Sequence, residues 1–231
     1  MNGTLFIVAT PIGNLEDITF RAVRILTEVD LIAAEDTRHS RILLTKYQIN
    51  TPLTSYHKFN IKEKTPYLIE RLKQGQNIAL ISDSGMPGVS DPGHEIIRES
   101  VDQNIRIEVV PGPSAAITAL VVSGLPTDRF VFEGFLPKKP GKKAKRLNEL
   151  KEDERTIIIY ESPFRLLKTL IAVRETMGER RVAVCRELTK KFEEVIRGKA
   201  GEVIEKIKGK RIRGEIVVVV SGQDAQRERD S

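Results

Sequence analysis

Ile78-Ala79-Leu80-Ile81-Ser82-Asp83-Ser84-Gly85-Met86-Pro87-Gly88-Val89-Ser90-Asp91-Pro92-Gly93 decides how this chain is read. A short apolar run reads as a buried strand, and it breaks into Gly, Pro, Ser and Asp, which cannot continue it. Open α/β sheets bind ligands at the carboxyl ends of their strands, where this loop begins. Glycine lets a ligand approach the backbone, and proline holds a loop in shape. The competing reading is a plain strand-to-helix turn. Such turns run about 2–6 residues, and this loop is longer. A small-molecule pocket is therefore expected here.

The same alternation extends in both directions. Thr4-Leu5-Phe6-Ile7-Val8-Ala9-Thr10 reads as a strand buried on both faces, broken by Pro11-Ile12-Gly13-Asn14. Asp17 is expected to cap a helix reaching Glu28, with Ile18, Ala22, Ile25, Leu26 and Val29 on one face. Leu31-Ile32-Ala33-Ala34 is a second strand, ending in Glu35-Asp36-Thr37-Arg38. Helices are expected over 66–74 and 94–103, a strand over 105–110, and an apolar helix over 115–122 after Pro111-Gly112-Pro113-Ser114. The series implies a largely parallel, doubly wound sheet. Ser123-Gly124-Leu125-Pro126-Thr127-Asp128 interrupts it. We therefore expect one α/β domain over 1–124, a second over 125–222, and a polar tail over 223–231. In the second half, strands are expected over 130–136, 156–160, 181–188, 192–197 and 215–220, with helices from Pro163 and over 202–207.

Composition narrows the class. No apolar run approaches the ~18 residues that span a membrane, and the first residues lack a basic, then apolar, secretory signal. Cys185 is the one cysteine and sits in an apolar run. With only three histidines, neither a disulfide framework nor a zinc site is expected, and Cys185 reads as core. The expectation is a soluble cytoplasmic protein. A net charge of +6 favours an anionic partner. The excess gathers in residues 137–146, which hold Lys138, Lys139, Lys142, Lys143, Lys145 and Arg146 and no acid. That segment reads either as a nucleic-acid contact or as a solvated loop. With no Trp and 5% aromatic residues, a base-stacking platform is not expected.

Neither a phosphate loop of the G-x-x-x-x-G-K-[ST] type nor a G-x-G-x-x-G after the first strand is present. A cofactor held without its phosphates, such as S-adenosylmethionine, fits better than a nucleoside triphosphate or a dinucleotide.

Four blocks resemble the tetrapyrrole-methylase superfamily: Gly3 to Leu15, Ala34 to Arg38, Ser82 to Gly93, and Pro111 to Ala115. Three more are similar to the branch acting on small-subunit ribosomal RNA: Ser123 to Phe130, Tyr160-Glu161-Ser162-Pro163, and Arg186 to Glu194. The resemblance implies two α/β domains, the first with a mostly parallel sheet and the second mixed, with a cofactor cleft between them. It implies S-adenosylmethionine-dependent 2′-O-methylation of a cytidine ribose in the decoding region of 16S ribosomal RNA. It also implies the RNA or the assembled small subunit as substrate, a homodimer, and no metal. The chain departs from the pattern at Phe59 and Phe164, where histidines are common; neither phenylalanine can carry a proton.

For the cofactor, the resemblance points to Pro11, Gly13, Asp83, Gly85, Pro87, Ser114 and Ala115. Methyl transfer to a ribose hydroxyl needs in-line alignment and a base for the proton. Glu35, Asp36, His57, Glu133, Glu161 and Glu187 are candidates, and Asp36, His57, Glu161 and Glu187 form the expected catalytic set. The competing readings are a helix cap paired with Arg38 for Asp36, a satisfied histidine for His57, and a structural ion-pair cluster for Glu161 and Glu187. Adjacent side chains on an extended chain point oppositely, so at most one of Glu35 and Asp36 faces the ligand. Arg38, Lys138, Lys139, Lys142, Lys143 and Lys190 are the expected RNA contacts. Two alternative functions stay open: a tetrapyrrole methyltransferase and a non-catalytic RNA-binding protein.

Overall fold

The computed structural model describes residues 2–223, so the expected tail from 224 onward lies outside the described residues. The described chain divides into two compact units, 1–114 and 115–231 in chain limits.

In the first unit, β1 (Thr4–Val8), β2 (Leu31–Ala34), β3 (Leu53–Ser55), β4 (Ile78–Ile81) and β5 (Arg106–Val110) form a parallel sheet in the order β3-β2-β4-β1-β5. Alternate residues of each strand serve opposite faces. Leu5, Ile7, Leu31, Ala33, Ile78 and Leu80 pack with Leu68, Ile69 and Leu72 of α3 (Ile61–Lys73) and Ile96 of α4 (His94–Asp102). Val8, Ile32, Ala34, Ala79 and Ile81 pack with Ala22, Ile25 and Leu26 of α1 (Phe20–Glu28) and Leu44 of α2 (Thr37–Lys46). This double burial is why the strands read as unbroken apolar runs.

Local details differ from expectation. Asp17 closes a short 3-10 turn (Leu15–Asp17), and Thr19 caps α1, its hydroxyl accepting the Ala22 amide at 3.0 Å. Helix α3 begins at Ile61 rather than Pro66, because a proline near a helix start forfeits only one ladder bond.

The second unit carries a mixed sheet of β6 (Phe130–Phe135), β7 (Thr156–Glu161), β8 (Arg181–Arg186), β9 (Glu194–Lys199) and β10 (Ile216–Val220), in the order β6-β7-β10-β8-β9. Only β6 and β7 pair in parallel. One face is covered by α6 (Pro140–Leu150), α7 (Leu166–Met177) and α8 (Ala200–Ile207), meeting Ile157, Ile159, Val182, Val184, Val218 and Val220. Helix α5 (Ala115–Ser123) packs against β7, β8 and β10. The division thus falls before α5, whereas the expected break after Gly124 assigned that helix to the first domain. The physical reason is its composition. Ala-Ala-Ile-Thr-Ala-Leu-Val-Val has no polar stripe, so it seals a sheet face, and Arg197 Nε fixes its end by donating to Val122 O at 3.0 Å.

Cys185 lies on that face, fully buried, its Sγ 3.8 Å from Ala119 O. Burial pushes the thiol pKa up to about 12. Iodoacetamide at pH 8 should therefore leave Cys185 unlabelled in the folded protein and label it fully in denaturant; native-state labelling at a free-thiol rate would contradict this packing.

Candidate functional site

The carboxyl ends of the parallel strands in the first unit bring the motif loops together. Thr10 and Gly85 bridge the loops after β1 and β4 with paired main-chain hydrogen bonds of 2.9 and 3.1 Å. Thr10 Oγ1 adds a bond to Ser82 O at 3.0 Å. Gly85 holds φ +80°, a backbone disfavoured for residues with a Cβ. Pro11, Gly85 and Pro87 are buried and form the base of this double loop, while Gly13 is exposed and Asp83 half-buried. Gly93 (φ +149°) closes the longer loop against Gly88, where a Cβ would lie 2.9 Å from the Gly88 nitrogen. Five of the expected cofactor positions (Pro11, Gly13, Asp83, Gly85 and Pro87) thus lie on two loops held by one bridge. Ser114 ends the first unit, and Ala115 opens α5 of the second.

Asp83 links this arrangement to the loop after β2, its Oδ1 accepting the Asp36 amide at 3.0 Å. Asp36 caps α2, accepting the Arg38 amide at 2.8 Å and pairing with the exposed Arg38 guanidinium at 2.9 Å. The Arg38 hydrogen bonds hold its carboxyl well below the usual carboxylate range. Asp36 is therefore a cap and a weak base, the structural reading of the pair, and Arg38 is engaged with it.

Glu35 takes the other direction. It is half-buried; burial raises its pKa above the ordinary value, and the nearby Asp83 charge raises it further. It lines a cleft of about 660 Å3 with Asp36, His57, Lys58, Asp83 and Asp91. His57 follows β3, and Asn60 holds its turn: Asn60 Oδ1 accepts the His57 amide at 2.8 Å, and Nδ2 donates to Ser55 O at 3.2 Å. His57 Nδ1 is buried with no hydrogen-bond partner. A buried unpaired nitrogen is costly unless a ligand meets it. Lys58 and Asp91 were not expected here; their signal was their place beside His57 and within the Gly88–Gly93 loop.

The second unit places the remaining candidates differently. Glu161 is a correction: its side chain is 0% exposed and cannot reach a substrate hydroxyl. It accepts from the Ser162 amide (2.8 Å) and Thr169 Oγ1 (2.5 Å), and its Oε1 lies 3.1 Å from Arg165 Nε. That last contact is an ion pair without hydrogen-bond alignment, and Arg165 Nη2 donates instead to Leu136 O at 2.8 Å. Lys143 is a second correction. The basic segment is not a loop from Pro140 onward, because Pro140 starts α6. That helix turns Lys143 inward, 8% exposed, to donate to Thr169 Oγ1 at 2.7 Å. Lys138, Lys139 and Lys142 stay exposed. Glu133 pairs with Arg146 at 2.6 and 2.7 Å.

Glu187 turns the chain after β8 at φ +50°. Burial opposes its charge, but the Glu215 amide and Lys190 outweigh burial and lower its pKa. Lys190 Nζ lies 3.0 Å from Glu187 and 2.8 Å from Glu215. Glu187 and Lys190 therefore form the ion-pair cluster that was the structural alternative, and Lys190 is held by acids rather than free for a phosphate.

A half-buried carboxylate thus lines a cleft beside a glycine-built double loop at the carboxyl ends of a parallel sheet. Residues 4–204 match the family described as Tetrapyrrole (Corrin/Porphyrin) Methylases. The chain is 48% identical over 223 residues to Ribosomal RNA small subunit methyltransferase I of Thermotoga maritima, covering 96% of this chain and 100% of that protein. It is 50% identical over 222 residues to the protein of that name from Bacillus subtilis, covering 96% and 76%. Its fold is that of uroporphyrin-III C-methyltransferase from Thermus thermophilus complexed with S-adenyl homocysteine, with a TM-score of 0.68, 18% identity, and 98% and 100% of the two chains covered. The chain belongs to the tetrapyrrole methylase family, and its curated relatives form the branch named for small-subunit ribosomal RNA.

Proposed function

We propose that this protein transfers the methyl group of S-adenosylmethionine to the ribose 2′-hydroxyl of a cytidine in the decoding region of small-subunit ribosomal RNA. The observation that carries the reading is the cleft in which Glu35, with its raised pKa, stands beside Asp83 and the unpaired His57 Nδ1. The names of the relatives support the substrate class.

The residues fit the donor. Glu35, Asp36, Asp83 and Asp91 make the cleft acidic, which suits a ligand carrying a sulfonium and an ammonium. Pro11, Gly13, Asp83, Gly85, Pro87, Ser114 and Ala115 would hold it, and it supplies an electrophilic methyl that needs no metal. The rest falls to the protein. A ribose hydroxyl is a poor nucleophile at neutral pH, so a base must take its proton as the oxygen attacks. Glu35 is suited to this. Burial and Asp83 make it a stronger base than a free carboxylate, whereas Asp36 and Glu187 are made weaker. His57 lines the same cleft, its main-chain turn held by Asn60.

Exposed Lys138, Lys139 and Lys142 are read as phosphate contacts, and the family resemblance supports a homodimer working in the cytoplasm. Small ribosomal subunits lacking the modification should accept tritiated methyl from labelled S-adenosylmethionine. Labelling of a precorrin-type tetrapyrrole, with none in RNA or subunits, would sink this reading.

The cofactor assignment has its own test. Valine at Gly85 (Gly85→Val) must adopt φ +80° within the Thr10 bridge, a strain of ~1–3 kcal/mol. Calorimetry should register a roughly tenfold or greater loss of S-adenosylmethionine affinity. Wild-type affinity in a folded variant would remove Gly85 from the site.

A further inference from the structure

The second sheet gathers cations and exposed rings at one of its ends. Strands β6, β7 and β8 finish there, and β9 and β10 start there. Phe135 pairs with Tyr160, Glu161 with Ile216, Ile216 with Arg186, and Arg186 with Glu194. The segments at this end therefore stand side by side across four strand spacings, roughly 19 Å. In spatial order they present Lys138 and Lys139 after β6, Phe164 after β7, Arg211 and Arg213 before β10, and Lys191 and Phe192 between β8 and β9.

The acids of this rim are already engaged. Glu187 and Glu215 hold Lys190, Glu194 holds Arg186 at 3.1 Å, and Glu193 accepts the Thr189 amide at 2.6 Å. Lys191, Arg211 and Arg213 are exposed and have no acid within ion-pair distance among the described residues. Two residues without glycine's freedom, Glu187 (φ +50°) and Thr189 (φ +65°), shape the turn that carries Lys191 and Phe192. Reciprocal bonds of 3.0 Å fix it to the next loop, Glu187 N donating to Glu215 O and Glu215 N to Glu187 Oε1. The turn and the cationic loop are thus tied to each other by two hydrogen bonds.

Phe164 is 94% exposed and Phe192 66%. Lys191 Nζ lies 5.8 Å from the Phe192 ring centre. Large rings left in water beside unpaired cations match the surface that single-stranded nucleic acid needs: π-faces for bases and positive charge for phosphates. The low aromatic content argued against stacking, but the few rings present fall where the charge does.

We propose that this rim binds single-stranded RNA, with bases stacked on Phe164 and Phe192 and neighbouring phosphates neutralised by Lys191, Arg211 and Arg213. The inference rests on RNA being the substrate and adds a contact surface that the methylation reading does not specify.

The test is fluorescence anisotropy of the full chain with labelled oligouridylate and with a labelled RNA duplex of equal length. The double variant F164A/F192A should bind oligouridylate about tenfold or more weakly, with duplex affinity changed less than twofold. The variant R211Q/R213Q should lower the logarithmic salt slope for oligouridylate by about 1.4, at ~0.7 per phosphate on a single strand. Calorimetric S-adenosylmethionine affinity, unchanged in both variants, establishes folding. Single-strand affinity within twofold of wild type in F164A/F192A would overturn the rim, as would equal losses on strand and duplex. If the wild-type protein still methylates small subunits, either result would leave the proposed function standing.

Discussion

Glu35→Gln should lower methyl transfer to small ribosomal subunits by about 10²–10⁴-fold, the range expected when a positioned base is lost. The amide keeps the shape of the side chain but cannot take a proton. Cofactor affinity should move little, so the loss should appear in turnover. The pH profile gives an independent sign. As the proposed base Glu35 would act only when ionised, and its pKa lies above the ordinary carboxylate value because burial and Asp83 disfavour the charge. The wild-type rate should therefore fall with acid at a higher pH than an exposed glutamate would give, and Glu35→Gln should abolish that limb. Asp36→Asn is the contrast. Its carboxyl is held low by Arg38, and its Oδ1 serves as the cap of α2. It should retain most turnover and leave the acid limb in place. A Glu35→Gln enzyme within threefold of wild type would return the search for the base to other residues.

Glu161→Ala should destabilise the second unit by ~3–5 kcal/mol, the cost of stripping one partner from a buried ionic cluster. Among the described residues the carboxylate is the only acid within ion-pair distance of Arg165, and through Thr169 it meets Lys143. Removing it leaves half-buried Arg165 and buried Lys143 without their neutralising charge, and Lys143 already has a pKa lowered by burial. Urea unfolding should show the midpoint drop without altered cofactor affinity in the protein that remains folded. Unchanged stability with collapsed turnover would restore Glu161 to the chemistry.

Sequence alone made the layout of the strands visible, because strands covered on both faces read as unbroken apolar runs. It also displayed the loops of Thr10-Pro11-Ile12-Gly13 and Ser82 to Gly93, the second longer than a plain strand-to-helix turn needs. It placed Asp36 rather than Glu35 in the catalytic set, with nothing in the residue types to separate the two. Both are carboxylates at a strand end and both line the cleft; the cap on α2 and the pair with Arg38 engage the Asp36 carboxylate and weaken it as a base. The three-residue strand β3 carries too few residues for a periodic signal. Lys143 was hidden for a related reason: seen as a loop, the basic segment offers six equivalent cations, whereas a helix starting at Pro140 turns one of them inward. The Lys208-Gly209-Lys210-Arg211-Ile212-Arg213 run drew no reading from the sequence; the sheet order sets it between the segments that carry Phe164 and Phe192.

The central claim is that a methyl group ends on a ribose oxygen of small-subunit ribosomal RNA. After incubation of unmodified small subunits with the enzyme and labelled donor, alkaline hydrolysis of the extracted RNA reads it directly. The account predicts one cytidine linkage newly resistant to alkali and carrying all the label. Label on a base, with every linkage still cleaved, would contradict it.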